Sequence, residues 1–355
     1  MCSYLVFGSG KQCQPFTAYD FLMRVLRYLV LAMALVLWAG GLSTTVSHWL
    51  YQAGIIVDDY RFGDLYRLST LPQFKQAQLV CPTRPVSSDT ALTHLYIIGD
   101  SFTEEQRISR ADFPVSHYQR VAWGFRQRAQ LDSSKRNILI LETVERHFRE
   151  HFAIPVSELT VEQDTSQNPT PRVTFLKRLS NEFHRTDVEE RLESALFSQD
   201  WAFWFKELKA QLTLNWFDRW NTYVGLSTDR KNVFVNMDTD TTKKLNSSFS
   251  RLTDREVDTL VDSVNAVADR YKRLGFDEVY LSIIPNKASI LETGRTDYNR
   301  LIERVQQSPT LRVKPIDVFS IYKKAQTSPY MHSDTHWNCT GRAIWLDQVR
   351  KTARL

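Results

Sequence analysis

A serine hydroxyl becomes a useful nucleophile only beside a base, usually a histidine that a carboxylate orients. This chain offers those three groups in two places. Ser101 closes the run Leu95-Tyr96-Ile97-Ile98-Gly99-Asp100-Ser101, an apolar stretch of strand type that leads straight into Gly-Asp-Ser. Far downstream, Ser333-Asp334-Thr335-His336-Trp337-Asn338 sets a carboxylate and an imidazole two residues apart. In an extended segment, side chains two apart share one side, so Asp334 can hold the His336 imidazole while the other ring nitrogen faces Ser101. The chemistry expected of such a set is acyl transfer through an acyl-serine.

For these groups to meet, the fold must carry position 101 to position 336. Short apolar runs at 95–98 (LYII), 137–141 (NILIL), 279–284 (VYLSII) and 312–318 (RVKPIDV) read as strands, and 233–236 (VFVN) reads as either a strand or a loop. Longer helical stretches separate them, the pattern of an α/β fold whose parallel sheet is covered by helices on both faces. Ser101 then stands at the carboxyl end of a strand, where open α/β sheets place their ligands, and a helix after it is expected to offer backbone N–H groups to an oxyanion. The clearest helix runs over 253–274, where Val257, Leu260, Val261, Val264, Val267, Ala268 and Tyr271 recur at three- and four-residue spacing between a Ser250 or Thr253 cap and Gly275. Residues 173–214 also read as helical. Trp201, Phe203, Trp204, Phe205, Trp216, Phe217 and Trp220 crowd together in and after that stretch, and burial in a core is expected of them ahead of a sugar-stacking surface. The distance from the second strand to the 253–274 helix exceeds one crossover, so an insertion is expected at about 151–250.

Gly99-Asp100-Ser101 early and Asp334-Thr335-His336-Trp337 late resemble the first and last sequence blocks of the SGNH hydrolase superfamily. The Asp-Thr-His-Trp-Asn form resembles the branch that holds exopolysaccharide O-acetyltransferases of the alginate type and the DHHW proteins. The Asp-x-His pair follows the serine here, which matches ordinary SGNH esterases and the DHHW relatives rather than the alginate proteins. Stretches 141–146 (LETVER) and 284–287 (IPNK) fit the same branch, and the likeness covers roughly residues 92–150 and 253–350. It implies a flavodoxin-like, three-layer α/β/α fold and cofactor-free acyl-ester chemistry at carbohydrate hydroxyls, with Ser101, His336 and Asp334 as the triad.

The oxyanion hole of that superfamily adds a glycine N–H and an asparagine side chain to the serine N–H. The nearest candidates are Gly124 and Asn286, although Pro285-Asn286-Lys287 departs from the usual Gly-x-Asn-Asp. Glu142 and Arg146 read either as a buried pair that braces the site or grips substrate, or as a salt bridge at a helix start. Trp337 reads as the floor of an acyl pocket or as packing beneath its loop. The partners implied are a polysaccharide or other glycan acceptor, an acyl donor of acetyl type, and a membrane-bound acyltransferase or polysaccharide synthase as companion. A plain carbohydrate esterase and a catalytically silent scaffold are the competing readings.

The chain's 355 residues, 43% hydrophobic and 12% aromatic, are those of a globular protein. A net charge of +5 without a basic cluster gives no reason to expect nucleic acid. Residues 28–46 carry no charge, and as a helix they would cover roughly 28 Å, near the thickness of a bilayer core. Lys11, Arg24 and Arg27 against Asp20 keep the tail on the cytoplasmic side. The expected organisation is a cytoplasmic tail at 1–27, a single-pass inner-membrane anchor at 28–46, a stalk or capping segment at 47–90, and an extracytoplasmic SGNH-like domain at 91–355. A cleaved signal peptide and a core helix compete with the anchor, but Gly40, Gly41 and Ser43 are followed by His48, Trp49 and Tyr51, which suit a membrane interface better than a cleavage site. Cys2 and Cys13 precede the span, whereas Cys81 and Cys339 share the oxidising side and either pair or stand as buried thiols. No histidine pair carries a zinc pattern with a third ligand in register, so no metal site is expected.

Overall fold

A computed structural model describes residues 18–42, 49, 68, 71–76, 81–82, 85–161, 200–220, 222–292, 294–295 and 297–355. The chain divides into two units, Met1–Asp59 with Pro169–Phe205, and Tyr60–Asn168 with Lys206–Leu355.

The first unit contains helix α1 (Ala18–Leu42), which takes in residues 28–42 of the uncharged segment. Side chains of α1 are described for residues 21–36, and its large apolar ones, Phe21, Leu22, Leu29, Val30 and Met33 among them, are exposed. Among the described residues no helix is long and apolar enough to cross a membrane, and the expected span reaches beyond them at residues 43–46.

The second unit is built on a five-stranded parallel sheet. Its strands are β1 (Thr93–Gly99), β2 (His117–Ala122), β4 (Arg136–Val144), β8 (Glu278–Ile284) and β9 (Lys314–Pro315), side by side in the order β2-β1-β4-β8-β9. Leu95–Ile98, Asn137–Val144 and Val279–Ile284 are buried residue after residue. Alternate residues of a strand face opposite ways, so continuous burial means both faces of the sheet are covered. The two edge strands are weaker: β2 is largely half-buried, and β9 is cut to two residues because Pro315 has no N–H to donate. Short pairs flank the sheet, β3 (Gln127–Ala129) with β5 (Leu159–Val161) in parallel, and β6 (Val224–Leu226) with β7 (Val233–Val235) as an antiparallel ribbon. The 233–236 run is therefore a strand outside the main sheet.

Parallel strands put all their carboxyl ends on one edge, and three connections matter there. After β1 the chain steps outward to β2, then returns past β1 to β4, so strand order reverses between β1 and β4. That reversal opens a crevice at the carboxyl ends of both strands. Helix α2 (Glu145–His151) leaves β4 directly, α3 (Asp200–Phe217) lies in the insertion, and α4 (Asp254–Arg273) leads into β8. Thr253 and Glu256 form a reciprocal capping box on α4, and Phe276 N–H to Tyr271 C=O with Gly275 N–H to Lys272 C=O closes it as a Schellman turn. Gly275, at φ +108°, adopts the left-handed conformation such a turn requires. Helices α5 (Lys287–Leu291), α6 (Leu301–Gln306), α7 (Phe319–Lys324) and α8 (Cys339–Ala353) complete the unit.

Two expectations are corrected. The aromatic cluster of the insertion is not core: Trp204, Phe205, Trp216 and Phe217 are all more than half exposed, while Trp201 and Phe203 side chains lie outside the described residues. The described apolar residues of α3 spread around the helix instead of forming one stripe, and only Leu214 of them is buried. No helix begins at Ser101 either; a three-residue 3-10 turn, Ser101–Thr103, stands there and Glu104 is already extended. Thr103 Oγ1 donates to Asp100 C=O at 3.2 Å and to Glu142 Oε2 at 2.9 Å, local bonds that compete with helix continuation. Of the two readings for the cysteines, pairing is the one observed. Cys81 and Cys339 form a disulfide with Cα atoms 5.2 Å apart, tying the segment before β1 to the start of α8.

Candidate active site

The turn after β1 is gripped from inside. A Cβ on Gly99 would meet Thr103 Oγ1 at 2.1 Å and Glu142 Oε2 at 2.7 Å, so only glycine lets the chain run this close to Glu142. Glu142, on β4 and fully buried, accepts from the Asp100 N–H at 2.8 Å. Arg120 Nη2, on β2, donates to Gly99 C=O at 2.9 Å and Asp100 C=O at 2.7 Å. Asp100 turns its carboxylate toward the end of β4, where Oδ2 accepts from Val144 N–H at 2.7 Å. Ser101 is thereby presented, partly exposed, at the carboxyl edge of the sheet.

The partners arrive on a narrow loop before α8. Met331 N–H to His336 C=O, Asn338 N–H to Pro329 C=O and the bridge between Tyr330 and Trp337 fold residues 329–338 back on themselves. A Cβ on Gly341 would strike Pro329 C=O at 2.3 Å, which explains a glycine in the first turn of α8. Lys287, buried at the start of α5, donates its ammonium to the carbonyls of Val233, Met331 and His332 and so holds the loop from beneath. At the loop tip Asp334 Oδ1 accepts from the His336 backbone N–H at 2.8 Å and lies 2.6 Å from His336 Nδ1. His336 Nε2 lies 2.8 Å from Ser101 Oγ.

Burial alone would push the Asp334 carboxyl up. Hydrogen bonds from the His336 ring and backbone, with the charges of His336 and Arg107, outweigh it and hold Asp334 well below the usual carboxylate range. An ionised Asp334 accepts only, so Nδ1 carries the ring proton and Nε2 is left to accept from the serine. That is the tautomer of a general base. Phe102 packs on the imidazole at 4.8 Å and Trp337 packs edge-on to Phe102 at 4.9 Å, fixing the ring from its flank.

Glu142 shows the opposite balance: burial first, then the charge of Asp100, push its carboxyl up to about 8. Its Oε1 is buried with no hydrogen-bond partner.

The structure brings Ser101, His336 and Asp334 together, keeps Glu142 and Trp337 beside them in supporting contacts, and commits Arg146 and Asn286 elsewhere. Glu142 and Arg146 do not pair. Glu142 belongs to a strand, where the helical i,i+4 rule does not apply, and Arg146 instead bonds Asp238 at 3.0 Å. Asn286 is fully buried and committed, its Oδ1 accepting from Arg146 N–H at 3.2 Å and its Nδ2 donating to Ser248 Oγ at 2.8 Å, so it is no oxyanion donor. Gly124, at φ +79° with open space around it, makes the exposed turn after β2. Trp337 is buried between Phe102 and Trp345, packing beneath the loop.

Arg107 is the functional neighbour that sequence reasoning misses. Its Nη1 donates to Ser101 C=O at 3.2 Å and its Nη2 lies 3.2 Å from His336 Nδ1. A guanidinium cannot accept, so this second approach is electrostatic, and it favours the Asp334 carboxylate. No motif marks Arg107, because its partner loop lies more than two hundred residues away.

Neither a protein-family model, nor a curated protein, nor a solved structure matches the chain. The site therefore rests on its own geometry. A hydroxyl, an imidazole and a carboxylate in hydrogen-bonded series at a sheet's carboxyl edge can activate an oxygen nucleophile.

Proposed function

We propose that this protein is a serine-dependent O-acyltransferase or esterase of SGNH type, moving an acyl group, acetyl foremost, onto a cell-envelope or exported polysaccharide. The observation that carries the reading is the unbroken series Ser101–His336–Asp334, at 2.8 Å and 2.6 Å. Ser101 Oγ attacks the acyl carbon while its proton passes to His336 Nε2. The tetrahedral intermediate collapses, the donor's leaving group takes that proton, and Ser101 is left acylated. A sugar hydroxyl, or water in the esterase direction, then gives its proton to His336 and releases the serine. Asp334 holds the imidazole and stabilises its charged form without becoming protonated.

The order β2-β1-β4-β8-β9 is, counted along this sheet alone, 2-1-3-4-5, which supports the flavodoxin-like form of the α/β fold. The Cys81–Cys339 disulfide supports an oxidising compartment for the catalytic unit. The exposed apolar side chains of α1 support an anchor in the inner membrane, with a membrane-bound acyltransferase or polysaccharide synthase as neighbour and supplier. One observation favours a silent scaffold instead, the commitment of the Asn286 amide to Arg146 and Ser248.

Release of p-nitrophenol from its acetyl ester by the full chain separates the two. Turnover by the wild type and its loss in Ser101→Ala support the enzyme. A folded wild type inert toward every acyl donor offered supports the scaffold.

A further inference from the structure

Beside the nucleophile turn lies a second cluster that the proposed acyl transfer does not use. His147 and His151 stand four residues apart on α2, so both project from one face of that helix, and both rings meet Asp100. His147 Nδ1 is 3.2 Å from Asp100 Oδ1, and His151 Nδ1 is 3.9 Å from Asp100 Oδ2. One ligand atom from each of the three lies within 4.8 Å of the others.

We infer that Asp100, His147 and His151 form a binding site for a divalent transition-metal ion of the zinc type, with a coordination position left for water. Two ligands at zinc's bond length of about 2.0–2.1 Å in a tetrahedron stand roughly 3.3 Å apart. His147 Nδ1 is already 3.2 Å from Asp100 Oδ1, and the remaining ligand-atom separations, all within 4.8 Å, close by at most about 1.5 Å through side-chain rotation. Two imidazoles and one carboxylate suit zinc better than calcium or magnesium, which prefer all-oxygen shells.

The surroundings are those of an oriented site. Val144 N–H fixes Asp100 Oδ2, leaving Oδ1 turned to His147. Trp123 stacks on the His151 ring at 4.1 Å and 13° and sets its plane. Thr143 Oγ1, 2.8 Å from His151 Nδ1, is also 3.2 Å from Asp100 Oδ2, so it can turn its hydroxyl to the carboxylate when the imidazole takes up an ion. Outer partners of this kind orient ligands in metal sites. The cluster is half-buried, with side-chain exposures of 37%, 18% and 10% for His147, His151 and Asp100, and so is reachable from solvent. Because Asp100 adjoins Ser101, an ion held here would also stiffen the nucleophile turn.

The test is calorimetric titration of Zn²⁺ alone into the chelator-treated full chain, a readout independent of turnover. One ion per chain is expected. His147→Ala, His147→Gln and His151→Ala should each weaken binding by more than about a hundredfold, exceeding the loss usual for an outer-shell change. His94→Ala, altering the other close histidine pair, His94 and His117 with ring centroids 5.2 Å apart, should leave binding intact. A wild type that takes up no zinc, uptake unchanged in the His147 and His151 variants, or uptake lost in His94→Ala would each overturn the site.

Discussion

If Ser101, His336 and Asp334 carry the proposed reaction they act as one unit, and losses within a unit do not add. Ser101→Ala and His336→Ala should each remove most turnover, and the double variant should be little worse than either, as measured by kcat/KM on an acetyl ester. Asp334→Asn should cost about a hundredfold or more by removing the bond that sets the tautomer. Buried Glu145 gives a second residue-scale expectation, this time of stability. Burial pushes its carboxyl up to about 7, although Ser289 Oγ and Asn286 N–H donate to it. A raised folded value means the native state holds the proton more tightly. The contribution is full below the unfolded value of about 4.3 and is lost as pH rises through about 7, a change of about 4 kcal/mol. Urea midpoints between pH 4 and 8 should therefore fall less steeply for Glu145→Gln than for the wild type; equal slopes would contradict this. The triad was legible in the sequence because residue type and a spacing of two carry its meaning. Asn286 and Arg107 were not, because what engages them includes groups far along the chain, Arg146 for the amide and His336 for the guanidinium.

At the scale of elements, the interior strands and α4 were readable for a physical reason: burial on both faces demands unbroken apolar runs, and a capped amphipathic helix repeats every three to four residues. β2 was missed because an edge strand needs only one covered side, and its sequence, His117–Ala122, is mixed. The segment after Ser101 misled because its polar residues bond locally around the turn instead of forming helix. That turn depends on Gly99, and Gly99→Ala tests it. The added methyl would meet Thr103 and Glu142 oxygens at 2.1 Å and 2.7 Å and displace the β1–Ser101 corner. A loss of about 1–3 kcal/mol in chemical denaturation is expected, together with reduced acetyl-ester turnover. A variant as stable and active as the wild type would mean the corner has slack that these contacts deny.

Across the whole molecule, the proposal sets the tail inside and the unit that carries Ser101 outside, a reading supported by the Cys81–Cys339 disulfide, the basic N-terminal flank and the exposed apolar side chains of α1. An alkaline phosphatase reporter, active only after export, should work when fused after Leu355. Activity confined to a cytoplasmic reporter would contradict that topology. The central claim, that Ser101 carries the acyl group, is tested most directly by mass spectrometry of the protein quenched during turnover of an acetyl ester. The expected result is one acetyl group per chain on the peptide containing Ser101, absent in Ser101→Ala and scarce in His336→Ala. An acetyl group on another residue with Ser101 unmodified, or turnover without any covalent adduct in a variant that slows deacylation, would contradict it.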